Sequence, residues 1–421
     1  MDQTKYLIVG AGVSGLSFAN FVGSDDYLIL ESDTEIGGFC KTVVQDGFVW
    51  DYSGHFFHFK HKDMETYLLE RMPPDEVRVI QKESAVRYRD GFVDFPFQKN
   101  IHQLPQDEFI ECLYDLYFKD EGLDGSAPAN FKEMLYRKFG RGISEKFLIP
   151  YNEKLYATDL TRLDTDAMGR FFPYADVADI IRNFRQTNNT SYNSTFTYPR
   201  GGAIQYVRAL KHDVPDEKIA FEEGLVSVDL ENRVATTTKR QIRFEKLISS
   251  TPFPRLMKMT GLPHNPADLT WNKVLVFNLG FDRKGWEKLH WVYFPERKYC
   301  FYRIGFYDNI FNTDRMSLYV ELGYPADATV DVQGARAQVL ADLETAGVIQ
   351  GHRLVSEHNI VLDPAYVHIT RESTVQVQQA RAVLAAHGVY SIGRYGAWTY
   401  CSIEDNMIEA RTLARELSSL S

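Results

Sequence analysis

Apolar and polar positions change period along this chain, and the changes outline its elements. An apolar run, "YLIV" (6–9), breaks into glycines and then a helical pattern, "SGLSFANFV". A second short run, "YLIL", follows at 27–30. Residues 43–61, with "VVQDGFVWDYSGHFFHF", alternate with period two about Asp46-Gly47, which predicts a hairpin. "VRYRDGFVDFPF" (86–97) predicts a second hairpin turning at Asp90-Gly91. From 105 to 190 the pattern is helical, as in "DEFIECLYDLYF" and "NFKEMLYRKFG". Strand patterns return over 198–250 after a helix, 272–325 is β-rich, and 331–347 is helical. The tail, "GVYSIGRYGAWTYCSIEDNMIEARTLAREL", reads as a strand, a glycine turn and a helix. No internal repeat, long linker or low-complexity segment interrupts this series.

The first glycines carry chemistry. Gly10, Gly12 and Gly15 form GxGxxG at a strand-to-helix turn. The first makes the turn, the second lets backbone approach a pyrophosphate, and the third lets helix pack on strand. Val13 and Ser14 open the helix, whose N–H groups would face phosphates. The second strand ends in Glu31-Ser32, which places an acid for a ribose hydroxyl about 20 residues on. These residues predict a dinucleotide site in a discontinuous Rossmann-type α/β domain. That domain would span 1–100, 195–265 and 380–421. A helical substrate domain (101–194) and an antiparallel β-sheet substrate domain (266–379) would be inserted into it.

Composition narrows the partners. The 421 residues suit two or three domains. Net charge is −10 with no basic block, which argues against nucleic acid. An anionic substrate would need local arginines. Four scattered cysteines, Cys40, Cys112, Cys300 and Cys401, form no CxxC and fit a reducing cytoplasm. The apolar stretch 6–23 carries four glycines and lacks a basic leader, so neither membrane insertion nor a targeting role is expected of it.

"DYSGHFFHFKH" (51–61) spaces His55, His58 and His61 three apart. On a strand, His58 would face away from the other two, so the three could not converge on a metal. No metal site is expected. His61 reads as solvated.

Further motifs resemble one family. "ESDTEIGGFCKT", with Gly37-Gly38, Phe39 and Thr42, resembles the FAD motif of the amine oxidase and UDP-galactopyranose mutase superfamily. "SGHFFHFKHKDMETYL", "FLIPYNEKLYATDLTRL", "YPRGGAIQYVRAL", "WVYFPERKYCFYR" and "GRYGAWTYCSIEDNMIEA" resemble segments of UDP-galactopyranose mutases in the same order. The resemblance implies FAD contacts at Gly10, Gly12, Val13, Ser14, Gly15, Glu31, Ser32, Gly38, Phe39, Gly54, His55, Val226, Gly393, Arg394, Ser402 and Ile403. It implies substrate contacts at Phe147, Tyr151, Tyr156, Arg170 and Tyr302, and catalytic roles for His55, Arg303 and Tyr400. "SSTP" (249–252) would close a strand near the cofactor.

Three segments depart from the family pattern. Arg170 sits one position off. Ser402 replaces an acid after Tyr400. "YVHITRESTVQVQQ" stands where the family has a YPxP tyrosine.

The implied activity is that of a flavin-dependent nucleotide-sugar mutase, an isomerase. Such an enzyme interconverts pyranose and furanose forms through an adduct of the sugar with reduced-flavin N5, with no net redox change. Its cofactor would be FAD reduced by an external donor such as NAD(P)H. Its partner would be a nucleotide sugar, its setting cytoplasmic cell-wall or polysaccharide biosynthesis, and self-association into a homo-oligomer is compatible with it. An alternative is an amine-oxidase-like FAD oxidoreductase, which builds an aromatic cage and has no use for paired arginines. A flavin-binding protein without catalysis is the third reading.

Overall fold

The computed structural model describes residues 1–73, 76–119, 126–173, 175–187 and 194–419. Strand β1 (Asp2–Val9) runs into helix α1 (Val13–Phe21) and then strand β2 (Tyr27–Leu30). β1 lies parallel between β2 and strand Gln241–Ser249, and β2 pairs on its other side with Ile219–Ala220. Strands Leu225–Asp229 and Val234–Thr237 extend this sheet antiparallel, and Val389–Ser391 joins it parallel to Gln241–Ser249. Separate hydrophobic cores cover its two faces: Ile8 and Ile29 belong to one, Leu7 and Leu30 to the other. A parallel sheet covered on both faces explains why these strands read as continuous apolar runs. Gly15 is where α1 meets β1, and a Cβ there would sit 1.9 Å from the Gly10 carbonyl oxygen.

The second sheet is mostly antiparallel. Its order is Leu354–Leu362, Asn272–Phe281, Ser317–Pro325, Arg303–Phe306, Trp291–Tyr293, Ser84–Tyr88 and Gly91–Asp94. Strand Asn272–Phe281 sends Val274 and Val276 into the core under the helical segment, and Leu275, Phe277 and Leu279 into the opposite core. The helical segment is built from Gln106–Tyr117, Phe131–Ile143, Ile149–Tyr156 and Val177–Arg185. The helical expectation over 105–190 also covers 120–125, 174 and 188–190, which lie outside the described residues.

Some expectations need correcting. The hairpin at 84–94 belongs to the second sheet, so the first segment of the nucleotide domain does not extend to 100. Helix Arg371–Ala386 packs beside strand Val389–Ser391, so the last segment begins before 380. The second hairpin turns at Arg89-Asp90, one residue early, with Arg89 at φ 49° and Tyr88 paired with Gly91. The first hairpin does turn at Asp46-Gly47, both at positive φ (52° and 78°).

Residues 52–61 are not a strand. Only Phe57 bridges to Thr197, while the Lys60 and His61 N–H groups donate to the Glu404 carboxylate. One isolated bridge and one carboxylate, not a continuous ladder, hold this backbone, so period two does not apply. His61 is not simply solvated: its Nδ1 lies 3.2 Å from Glu404 Oε2.

Candidate functional site

Two cavities meet inside the fold. The first is floored by the turn from β1 to α1. Gly10, Gly12, Val13, Ser14, Glu31, Ser32, Gly38, Phe39 and Gly393 line it, with Ser250, Thr251 and Pro252 across from them. A Cβ on Gly12 or Gly38 would meet nothing closer than 3.9 Å, so these glycines leave open space. α1 starts at this space with neither a capping side chain nor an acid in its first turn. Its orphan N–H groups suit an anion. Glu31 is buried and accepts from the Ala11 (2.8 Å) and Asp33 (2.9 Å) N–H groups, which leaves carboxylate lone pairs for a hydroxyl donor.

The second cavity lies between the helical segment and the antiparallel sheet. Gly54, Phe147, Tyr151, Arg170, Arg303, Tyr400 and Ser402 line it. His55, Arg394, Cys401 and Ile403 line both cavities. His55 Nδ1 and Arg394 Nε are buried there, and among the described residues neither has a hydrogen bond of ordinary geometry. Burial, then the Arg394 charge, pushes the His55 pKa down to about 4, so the imidazole is neutral near pH 7. Gly54 lets the chain pass over Tyr319: a Cβ would lie 2.4 Å from the Tyr319 hydroxyl oxygen.

The walls are aromatic. Phe147 and Tyr151 are stacked at 5.4 Å, Phe56 and Trp291 at 5.4 Å, and Tyr366 and Tyr400 at 5.9 Å. Arg303 extends from its strand and is held by Glu321, its cross-strand partner in register. Arg303 Nε donates to Oε2 at 2.7 Å and Nη2 to Oε1 at 3.0 Å. Glu321 is 1% exposed and also accepts from Ser53 Oγ, which ties Arg303 to the Gly54–His55 segment. Arg170 Nη2 donates to Asp405 Oδ1 at 2.6 Å. Asp405 and Ser402 in turn cap the last helix, Ile403–Ser419, by exchanging bonds with each other's backbone N–H (3.1 and 2.8 Å).

Some expected site residues lie outside both cavities. Tyr156 and Tyr302 are fully buried in the core behind the second cavity, and among the described residues neither hydroxyl has a hydrogen-bond partner. Val226 is 52% exposed at a bulge between Leu225 and Ser227, and its neighbour Leu225 lines the first cavity. Gly15 serves the packing of α1 on β1. His58, whose Nδ1 lies 2.8 Å from the Thr195 carbonyl oxygen, lines the second cavity only.

Other site residues were not expected from sequence. Tyr366 occupies the segment that departs from the family pattern, so a tyrosine does stand in this wall. Glu321 could have been found by pairing "FYRIGF" with "LYVELGY" as neighbouring strands. Asn406 carries no sequence signal beyond a polar residue on the last helix, yet its Oδ1 accepts from the Arg394 N–H (2.8 Å) and from Ser14 Oγ (3.3 Å).

Comparison with known proteins agrees with this geometry. The family model for flavin containing amine oxidoreductases matches residues 14–416, and the chain belongs to that family. A corticosteroid-binding protein of Candida albicans is 27% identical over 158 residues, 34% of this chain and 32% of that protein. The chain thus matches about a third of that relative's length. Among solved structures, a reduced UDP-galactopyranose mutase superposes with a TM-score of 0.91 at 24% identity, covering 99% of this chain and 96% of the other. A protein assigned as a protoporphyrinogen oxidase from Exiguobacterium sp. 255-15 gives 0.78 at 18% identity, covering 100% and 99%. A putrescine oxidase bound to putrescine gives 0.68 at 12%, covering 99% of each. These likenesses establish the FAD-binding fold shared by mutases and amine oxidases. No helix among the described residues is long and apolar enough to cross a membrane.

Proposed function

With membership of that flavin family as premise, we propose that the chain is a nucleotide-sugar mutase. It would interconvert pyranose and furanose forms of a UDP-hexose without net redox change, using reduced FAD. The observation that carries this reading is the second cavity, where Arg303 and Arg170 line the same space as the stacked Phe147–Tyr151 pair and the residues shared with the dinucleotide cradle.

FAD fits the first cavity by its open glycines, its uncapped helix N-terminus and the buried acid Glu31. The group would be held by the β1–α1 turn, Glu31, the Gly38–Phe39 turn and Gly393–Arg394. When reduced, it supplies an electron-rich nitrogen nucleophile, and NAD(P)H is a suitable external donor of the electrons.

The chain's own residues would position and neutralise. Arg303 spends two of its five N–H donors on Glu321, which fixes the guanidinium plane and leaves three donors for phosphate oxygens. Arg170 engages Asp405 through Nη2, and its remaining nitrogens are available to the same diphosphate. Phe147 and Tyr151 would stack a base. Neutral His55 adds no positive charge at the junction, and its open Nδ1 can donate or accept according to tautomer. Tyr366, Tyr400 and Phe171 would exclude water.

A second reading, an amine-oxidase-like oxidoreductase, draws on the acids Glu321 and Asp405, which already neutralise both arginines, and on the near-parallel Tyr366 and Tyr400 rings. One experiment separates the two. Dithionite- or NAD(P)H-reduced protein is incubated with UDP-galactose and the products are chromatographed. A new furanose peak is expected, formed only after reduction. Absence of any rearranged nucleotide sugar, together with anaerobic bleaching of the flavin by a small amine or alcohol, would reverse the assignment.

A further inference from the structure

Arg394 differs from the other arginines of the site. Arg303 has Glu321 and Arg170 has Asp405. Among the described residues no carboxylate stands within ion-pairing distance of Arg394. Its guanidinium carbon lies 4.7 Å from the Tyr400 ring centroid and 5.0 Å from that of Tyr366. Those two rings lie at 15° to each other, so the cation rests against a pair of near-parallel π faces. The backbone beneath is fixed from the last helix: the Gly393 N–H donates to Glu409 Oε2 and the Arg394 N–H to Asn406 Oδ1, both at 2.8 Å.

The other groups facing Arg394 are uncharged near pH 7. Burial raises the pKa of the Tyr366 phenol, and pushes those of Tyr395 and Tyr400 and of the Cys401 thiol up to about 12. His55 is held neutral. Glu409 stands behind the turn, bonded to Gly393 and to Arg381 at 3.3 Å. A half-buried cation whose neighbours are ring faces, a thiol and a neutral imidazole has no counter-charge among the described residues, and ring quadrupoles offset only part of its desolvation. The imbalance lies at the seam of the two cavities, with Nε still open.

We propose that Arg394, seated against Tyr366 and Tyr400, is the counter-charge of the reduced, anionic flavin, so that the site is built to favour reduced over oxidised cofactor. This rests on the flavin of the family and not on the mutase reading; it stands equally for an oxidase. The same cation could instead be balanced by a substrate phosphate, so the test uses holoprotein with no substrate present.

The midpoint potential of bound FAD is measured for wild type, Arg394→Lys and Arg394→Gln by equilibration with a reference dye. The Gln variant is expected to shift to more negative potential, and the ionisation of its reduced flavin to rise by about one pH unit, a tenfold loss of anion. The Lys variant should lie near wild type. Should the Gln variant release its cofactor, apoprotein affinities for oxidised and dithionite-reduced FAD report the same quantity. Reduced FAD is then expected to weaken at least about tenfold more than oxidised FAD, because linkage ties the affinity ratio to the potential. An unchanged potential in Arg394→Gln, or equal weakening of both redox states, overturns the proposal. Unchanged potential with weakened UDP binding would assign the charge to the substrate.

Discussion

Asp51 offers a quantitative test of how the site segment is anchored. It ends strand Phe48–Asp51 and is fully buried. Oδ1 accepts from Thr42 Oγ1 (2.6 Å) and the Ala203 N–H (2.8 Å), and Oδ2 accepts from the Tyr198 hydroxyl (2.8 Å). Among the described residues it has no cationic partner. Burial pushes its pKa up to about 6 from 3.8, against the three hydrogen bonds, which pull it down. The folded state therefore binds the proton more tightly than the unfolded state. The stabilisation from that proton is complete below pH 3.8 and is lost as pH rises through about 6.

A shift of about two units is worth about 3 kcal/mol in full, of which about 2 kcal/mol falls between pH 4.5 and 7.5. For 421 residues the unfolding entropy is about 0.9 kcal/mol/K, so this corresponds to about 2 °C in melting temperature. Asp51→Asn keeps the shape and removes the titration. Calorimetric melts of wild type and variant, both saturated with FAD, should show the variant gaining about 2 °C on wild type between those pH values. Other titrating groups cancel in the difference. Parallel curves across this range would refute the reasoning, because they would mean that Asp51 keeps one protonation state throughout.

Two more predictions concern the second cavity. Arg303→Ala should lower turnover of the nucleotide sugar by about 2–5 kcal/mol in transition-state terms while flavin absorbance per mole of protein stays near wild type; equal loss of both would remove its substrate role. Gly54→Ala forces a methyl against the Tyr319 hydroxyl and ring, so overpacking of about 1–3 kcal/mol is expected as a lower melting temperature, with recovery in a Gly54→Ala/Tyr319→Leu double variant. Failure of the smaller residue to restore the melt would show that the contact is not the cause.

How much of this was legible follows from what each signal depends on. The β1–α1 turn, β2 and Glu31 were readable because short-range geometry dictates them: a glycine turn, a helix start and an acid at fixed spacing. The two core-buried tyrosines were not. Tyr151 lines the cavity and Tyr156, five residues later, faces the core, because position on the helix and not residue type decides which way a tyrosine points. The segment 52–61 looked like a strand because its aromatics alternate. Phe56 does pack on one core and Phe57 on another, yet only Phe57 pairs with a strand, and the Lys60 and His61 N–H groups go to Glu404, more than 340 residues away.

The arginines show the same limit at the level of charge. An acidic chain must concentrate cations locally to hold an anion, and the sequence marks Arg303, Arg170 and Arg394 alike. What distinguishes them is the partner. Glu321 reaches Arg303 only because two antiparallel strands pair in that register, and Asp405 reaches Arg170 only because the last helix begins beside the helical insert. Each pairing removes one net charge from the cavity and fixes a guanidinium in place. Arg394 receives no such acid; the last helix holds its backbone while two tyrosines hold its side chain. The unbalanced charge therefore falls at the seam of the two cavities, where a reduced flavin would need it. Charge bound to Glu321 or Asp405 must first be shared before it can act on a ligand.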